Sequence, residues 1–405
     1  MEDLFSKRSA FAINPIREED TAAEEMKKRG IDVIKLNTGD PAAYMPTPDY
    51  ITDAYINALK QKKTSYSRAE GVPELLEAVS KRYKRIYNAD FDAKSVITTQ
   101  GLSEALGIIN SALINDSDYA FIFRPYYPAY MTNIRLAGGD AIFGRYYEDK
   151  NWGTDVDDVK RALKEAAGKK IKYMMITNPN NPTGTILSAS VLKELVDIAN
   201  EHDLLLISDE IYDEIVFNGA KFTSLCQIAK GMPYIVMNGV SKNFDATGFR
   251  VGFIIVPEED YVSKALKQKF SDYARIRLSV NTPAEYACVE ALNNVKQHDI
   301  EIKNMVSAIQ ERINYASSML DENPCLSYVK PNGAFYIFPK IDLSRLAIKD
   351  DREFVRSLLQ EEHVQLTRGS GFGEPSHIRI VSLPPKEILG EAVRRINRFC
   401  KNHSK

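Results

Sequence analysis

Three side chains stand where short apolar runs break off, and together they could hold a reactive heterocycle. Asn181 follows the run Tyr173–Thr177, Asp209 follows Leu204–Ser208, and Lys242 follows Tyr234–Met237 after a Gly-Val-Ser turn. In an open α/β sheet, ligands collect at the carboxyl ends of the strands, where helix N-termini also point, so neighbouring strands would bring all three into one crevice. An aldehyde cofactor with a basic ring nitrogen, a phenolic oxygen and a phosphate needs an amine, an acid, hydrogen-bond donors and an anion cradle. Gly101, Leu102 and Ser103 close one strand and precede a helix expected from Glu104, so their free N–H groups and the helix dipole would favour a dianion. Each feature has a plainer explanation alone: a lone lysine is a solvated surface residue, an aspartate ending a strand caps a helix, asparagine before proline makes a turn, and Ser103 is an N-cap. Their joint occurrence is the signal.

The elements that must position these residues follow a clear rhythm. Ser95–Thr99, Tyr119–Phe123, Tyr173–Thr177, Leu204–Ser208, Tyr234–Met237 and Gly252–Val256 alternate with the amphipathic stretches Glu104–Ile114, Asp155–Ala167 and Ser188–Glu201. That alternation predicts an α/β fold with a mostly parallel sheet and helices on both faces. Beyond residue 283 long helices are expected at Ala284–Val295 and Asp299–Leu320, then a mixed region, Leu326–Ile380, and a last helix, Pro385–Lys401. The opening 45 residues hold an expected helix, Glu18–Arg29, and strand, Ile31–Leu36, which would join this second unit. The expected division is 46–290 for a large domain, with 1–45 and 291–405 forming a small one.

Bulk properties exclude several classes. With 405 residues the chain is too long for one ordinary core, and a net charge of -2 gives no broad pull toward nucleic acid or anionic membrane. Its apolar runs fall short of the roughly 20 residues that a membrane helix needs, and Met1–Asp20 lacks the continuous apolar core of a secretion signal. A cytoplasmic location is the expectation. Cys226, Cys288, Cys325 and Cys400 form no CxxC pair, and five scattered histidines supply no ligand cluster, so reduced buried thiols and no metal are expected.

The segments NPNNPTG (Asn178–Gly184), DEIY (Asp209–Tyr212) and SKNFDATGFRVG (Ser241–Gly252) closely resemble, in order and spacing, the class I aminotransferases of fold type I. The resemblance runs from about Lys35 to Pro384. It implies a large domain with a seven-stranded, mostly parallel sheet sandwiched by helices, a smaller α/β domain, and pyridoxal 5'-phosphate as cofactor. Lys242 then looks like the lysine that carries the cofactor as a Schiff base and shuttles the substrate proton. Asp209 would face the pyridine nitrogen, and Asn181 and Tyr212 would donate to the phenolic oxygen. Gly101, Leu102 and Ser103, with Ser241 and Arg250, would cradle the phosphate. Tyr127 resembles the aromatic stacked on the ring, and Tyr66 the tyrosine that reaches the phosphate of a neighbouring subunit, which implies a homodimer. Arg379 in HIRIVSL resembles the arginine that grips the substrate carboxylate, opposite the backbone of Gly39 in LNTGDP. An arginine inside an apolar run is costly unless paired, which points the same way. Asn281 and Tyr336 are further candidates for the pocket wall. The chain departs from the family at Asp245, where a small or apolar residue is usual.

RIRLSVNTPAE (Arg275–Glu285), GAFYIFPKI (Gly333–Ile341) and GSGFGE (Gly369–Glu374) look closest to the alanine aminotransferase branch. The expected reaction therefore pairs alanine with 2-oxoglutarate, both small molecules. The alternative is an aspartate or broad-specificity aminotransferase, since Arg68, Arg275 or Arg277 could meet a distal carboxylate. A β-C–S lyase on the same fold would share nearly every residue named and differ in its product, pyruvate and ammonia formed without an acceptor. A regulator with an aminotransferase-like sensing domain would need a basic DNA-binding module, for which the sequence before residue 35 leaves no room.

Overall fold

The computed structural model describes residues 4–257 and 260–405, so Met1–Asp3 of the opening segment lie outside the described residues. Its centre is one large sheet. From edge to edge the strands are Val96–Thr99, Gly252–Ile255, Tyr234–Gly239, Leu205–Asp209, Ile171–Thr177, Tyr119–Arg124 and Asp140–Tyr147, with the two-residue strand Gly153–Thr154 outermost. Gly252–Ile255 runs antiparallel to both neighbours, as does Gly153–Thr154 to Asp140–Tyr147; the other pairings are parallel. The seven-stranded sheet expected from the resemblance is thus present, with a short eighth strand added at one edge.

Side-chain alternation along each strand explains why the sheet is covered on both faces. Phe121, Met174, Ile176, Leu206, Val236 and Phe253 enter one buried apolar cluster. Their chain neighbours Ile122, Tyr173, Met175, Leu205, Ile207, Ile235 and Ile254 enter another on the opposite face. Strands buried twice over read as unbroken apolar runs, which is why they were legible. Asp140–Tyr147 was not among the expected strands; its charged Asp140 and Arg145 interrupt the apolar pattern, and its burial is correspondingly partial.

A third apolar cluster joins the N-terminal and C-terminal segments. Leu36 packs there with Ile309, Ile313, Leu358, Val393 and Ile396, from the helices Val295–Leu320, Asp351–Glu362 and Lys386–Asn402. Ile34–Lys35 pairs in parallel with Val364–Gln365, a shorter strand than the expected Ile31–Leu36. The helices expected at Glu104–Ile114 and Asp299–Leu320 begin earlier, at Gly101 and Val295. The first shift matters for the site, because it puts Gly101, Leu102 and Ser103 in the first helical turn, where their N–H groups have no intrahelical acceptor. Ser188 caps Ala189–Glu201 as expected, accepting from Val191 N.

Candidate active site

A cavity of about 480 Å³ opens at the carboxyl ends of the central strands. Strand register brings its floor together: Thr177 pairs with Asp209, and Asp209 with Met237, just before the turn that carries Lys242. Lys242, Asp209, Tyr212, Asn181, Tyr127, Ser241, Arg250, Leu102, Ser103, Gly39, Tyr336 and Arg379 all line this one space. The amine and the carboxylate therefore share a cavity.

Asp209 is buried at the base. Burial pushes its carboxyl up to about 6, against the opposing effect of hydrogen bonds from Tyr130 and from the backbone of Ile211. Tyr130 Oη donates to Asp209 Oδ2 at 2.7 Å and meets Thr177 Oγ1 at 2.8 Å. A carboxylate only accepts, so Tyr130 gives its single proton to Asp209 and takes one from Thr177. Neither Tyr130 nor Thr177 emerged from the sequence. Tyr130 stands three residues after Tyr127, at the start of the helix Pro128–Leu136, and that one-turn spacing was the available signal.

Lys242 Nζ donates to the carbonyl of Gly39 at 2.6 Å. Burial lowers the amine from 10.5 to about 8, only partly offset by the negative charge of Asp40. A neutral, nucleophilic amine is thereby accessible near physiological pH.

At the helix end of the cavity, Arg250 lies across the first turn of Gly101–Leu113. A Cβ on Gly101 would lie only 2.5 Å from Arg250 Nη2, and Gly101 holds φ of +67°, so glycine alone fits this close approach. Arg250 Nη1 donates to the Thr247 carbonyl at 2.9 Å, which fixes the guanidinium beside the free amides. Helix N–H groups, a guanidinium and the nearby Ser241 hydroxyl form a set suited to a phosphate.

Opposite lies Arg379, 1% exposed. Its Nη1 donates to Asn181 Oδ1 at 2.9 Å and its Nη2 to the Asn37 carbonyl, while Nε has no partner among the described residues. With Oδ1 engaged, Asn181 keeps its Nδ2 as a donor. Tyr212 and Tyr336 place their hydroxyls 2.7 Å apart.

Two expected residues stand elsewhere. Tyr66, 79% exposed, and Asn281 line a second groove of about 470 Å³, which shares Arg250 with the cavity. Asn281 accepts from Ala284 N as the cap of Thr282–Asn293 and pairs with Tyr55, so it does not form the wall of the main cavity. The arginines considered for a distal carboxylate are also absent from the cavity lining. Arg275 pairs with Glu70 and Asp272, Arg277 pairs with Glu104, and Arg68 lines neither space. Arg17, which the sequence did not single out, does line the cavity. Asp245 holds φ of +48°, and burial together with Glu301 and Asp40 pushes its carboxyl up to about 8.

Comparison with known proteins agrees with this geometry. The family model for aminotransferase class I and II matches residues 31–396. The aspartate aminotransferase of Bacillus subtilis is 32% identical over 386 residues, covering 94% of this chain and 95% of its own. The alanine aminotransferase of Mycobacterium tuberculosis is 33% identical over 388 residues, 94% of this chain and 88% of its own. Among solved structures, an alanine aminotransferase from Pyrococcus furiosus superposes with a TM-score of 0.93 at 37% identity, covering 98% of this chain and 100% of that one. A sheet with its reactive amine and buried carboxylate at the strand ends is the frame of a cofactor-dependent transferase. The chain belongs to the class I and II aminotransferases, and its cofactor is pyridoxal 5'-phosphate.

Proposed function

We propose that this aminotransferase exchanges an amino group between alanine and 2-oxoglutarate, with Lys242, Asp209 and Tyr212 as its catalytic residues. Bound pyridoxal 5'-phosphate supplies an aldehyde that condenses with amines and a ring that accepts the electron pair left when the substrate Cα loses its proton. Lys242 Nζ would hold the cofactor covalently and, once released as a free amine, would carry the proton to and from the substrate Cα. The Asp209 carboxylate would accept from the ring N–H and stabilise its positive charge. Tyr212 Oη and Asn181 Nδ2 would donate to the ring oxygen, and Tyr127 would pack against the ring. Gly101, Leu102 and Ser103 N–H, the Ser241 hydroxyl and the Arg250 guanidinium bind the phosphate.

At the other end, the Arg379 fork and the Gly39 backbone take the substrate carboxylate. A buried guanidinium whose Nε lacks a partner, and whose other nitrogens meet only neutral acceptors, is prepared for an arriving anion. The chain forms a homodimer in this reading: the exposed Tyr66 and the groove beside Arg250 accommodate a second copy, so that Tyr66 of the partner subunit reaches the phosphate. Among the described residues no helix is long and apolar enough to cross a membrane, and the proposed place of action is the cytoplasm.

The observation that carries the substrate choice is Arg17. Lys242, Arg250 and Arg379 have assigned partners, which leaves Arg17 as the further cation on the cavity lining. It is mostly exposed and held by Asp20 at 3.3 Å, a surface pair of about 0–1 kcal/mol. So weak a tether lets Arg17 turn toward the distal carboxylate of 2-oxoglutarate or glutamate, yet demands nothing of the methyl group of alanine. Relatives named for alanine and for glutamate and pyruvate support the same choice. The relative named for aspartate favours a second reading, in which Arg17 meets the shorter diacid.

Titration of the holoenzyme with amino acids, followed by cofactor absorbance, tests the choice. Alanine and glutamate should each convert the cofactor to its amino form, and pyruvate or 2-oxoglutarate should reverse it. Conversion by aspartate with none by alanine would establish the second reading, and pyruvate with ammonia released in the absence of any acceptor would establish a lyase. Arg17→Gln should raise KM for 2-oxoglutarate by up to about fivefold, as expected for one exposed charge contact, and leave KM for alanine unchanged; equal effects on both would remove Arg17 from substrate recognition.

A further inference from the structure

The Tyr212 and Tyr336 hydroxyls have no hydrogen-bond partner other than each other among the described residues, at 2.7 Å. Two hydroxyls facing each other share one contact and own two protons, so only one proton can lie between them. If Tyr212 gives its proton to the ring oxygen, as proposed above, the proton between the two oxygens must come from Tyr336. If Tyr336 were absent, the Tyr212 hydroxyl could turn away from the ring, and a buried oxygen would lose its donor.

Packing holds Tyr336 in this role. A Cβ on Gly39 would lie 2.5 Å from Tyr336 Oη and 2.9 Å from Phe335 Cε2, so the glycine whose carbonyl receives the Lys242 amine is also the residue that leaves room for this hydroxyl. The Arg379 guanidinium lies over the Tyr336 ring, 4.7 Å from its centroid. The ring stands edge-on to Tyr212, with centroids 5.8 Å apart and an interplanar angle of 86°. One tyrosine therefore touches the proposed ring-oxygen donor, the proposed carboxylate-binding arginine and the glycine that holds the reactive lysine.

We propose that Tyr336 is a positioning residue that donates to Tyr212 Oη, aims the Tyr212 proton at the cofactor ring oxygen, and so keeps the acidity of the lysine-bound cofactor in its working range. The inference rests on the reading of Tyr212 as the ring-oxygen donor. The charged and titratable groups facing this pair are Arg379, Asp209 and Tyr127, with Asp40 and Arg250 acting on Lys242 beside it. None of them is a second acceptor for the Tyr336 proton, so the phenylalanine substitution removes the donor and keeps the ring.

Absorbance titration of the cofactor in the resting holoenzyme tests this without recourse to turnover. Tyr336→Phe should raise the apparent pKa of the lysine-bound cofactor by about half a unit to one unit, a three- to tenfold change in proton affinity. Tyr212→Phe should raise it further, and the double variant should match Tyr212→Phe alone, because Tyr336 acts through Tyr212. A shift in Tyr212→Phe with none in Tyr336→Phe overturns the inference and leaves the role of Tyr212 standing. A Tyr336→Phe shift that persists in the Tyr212→Phe background also overturns it, since Tyr336 would then act independently. No shift in either variant removes Tyr212 as the ring-oxygen donor, and the inference falls with it.

Discussion

Lys242→Ala is expected to lose transamination by at least about 10⁴-fold, with no change in cofactor absorbance on adding alanine or glutamate. A positioned proton-transfer group contributes up to about 10⁴-fold by itself, and this substitution also removes the covalent attachment. The cavity lining offers no second primary amine, since its other cations, Arg17, Arg250 and Arg379, are guanidinium groups. A variant that still interconverts alanine and pyruvate at a measurable fraction of the parent rate would refute the assignment. The native amine gives a pH test of the same residue. Burial has lowered it to about 8, so the protonated form dominates below that pH and the neutral form above. Capture of added pyridoxal 5'-phosphate by the apoprotein requires the neutral amine, so its rate should climb with pH until about 8 and level there. An ordinary exposed lysine would keep climbing toward 10.5. Stopped-flow absorbance across that range separates the two.

Asp209→Asn should reduce kcat by about 10³-fold or more, the scale on which a preorganised charge in a water-poor site acts. The amide fits the same volume and can still meet Tyr130 and the Ile211 N–H, so a cooperative thermal melt near that of the parent would show that the loss is chemical. What disappears is the negative charge that keeps the ring nitrogen protonated. The neighbouring Tyr130→Phe should behave as a graded version. It removes one donor that holds the Asp209 carboxyl down against burial, so this carboxyl should titrate at higher pH and the acid limb of kcat/KM should move upward. A drop of about tenfold is expected from one lost hydrogen bond to a charged group. An unmoved acid limb would mean that Tyr130 serves packing alone.

Local pattern revealed the sheet because its strands are buried on both faces, and it located Lys242 and Asp209 because strand ends in such sheets are where ligands bind. Contacts between distant segments left no such trace. Tyr130 meets Asp209 across 79 positions, Asn181 meets Arg379 across 198, and Gly39 meets Lys242 across 203. The resemblance supplied candidates for several of these positions, but not Tyr130 and not Arg17. Arg17 sits in a short 3-10 turn, Pro15–Arg17, with no buried residue and no periodicity to read. Arg275 and Arg277, the alternative partners for a distal carboxylate, pair with Glu70, Asp272 and Glu104 and stand outside the cavity lining of this chain, a placement that no local pattern records.

The residues proposed for bond making are rooted in the central sheet and the turns directly after its strands, whereas those proposed to select the acid come from the two chain extremities: Arg17 and Gly39 from the first 40 residues, and Arg379 from the last 30 or so. Such a layout separates appetite from machinery. Exchanges near either terminus could redirect the enzyme from one amino acid to another while the electron-handling apparatus stays untouched, which makes those extremities the place to begin redesign.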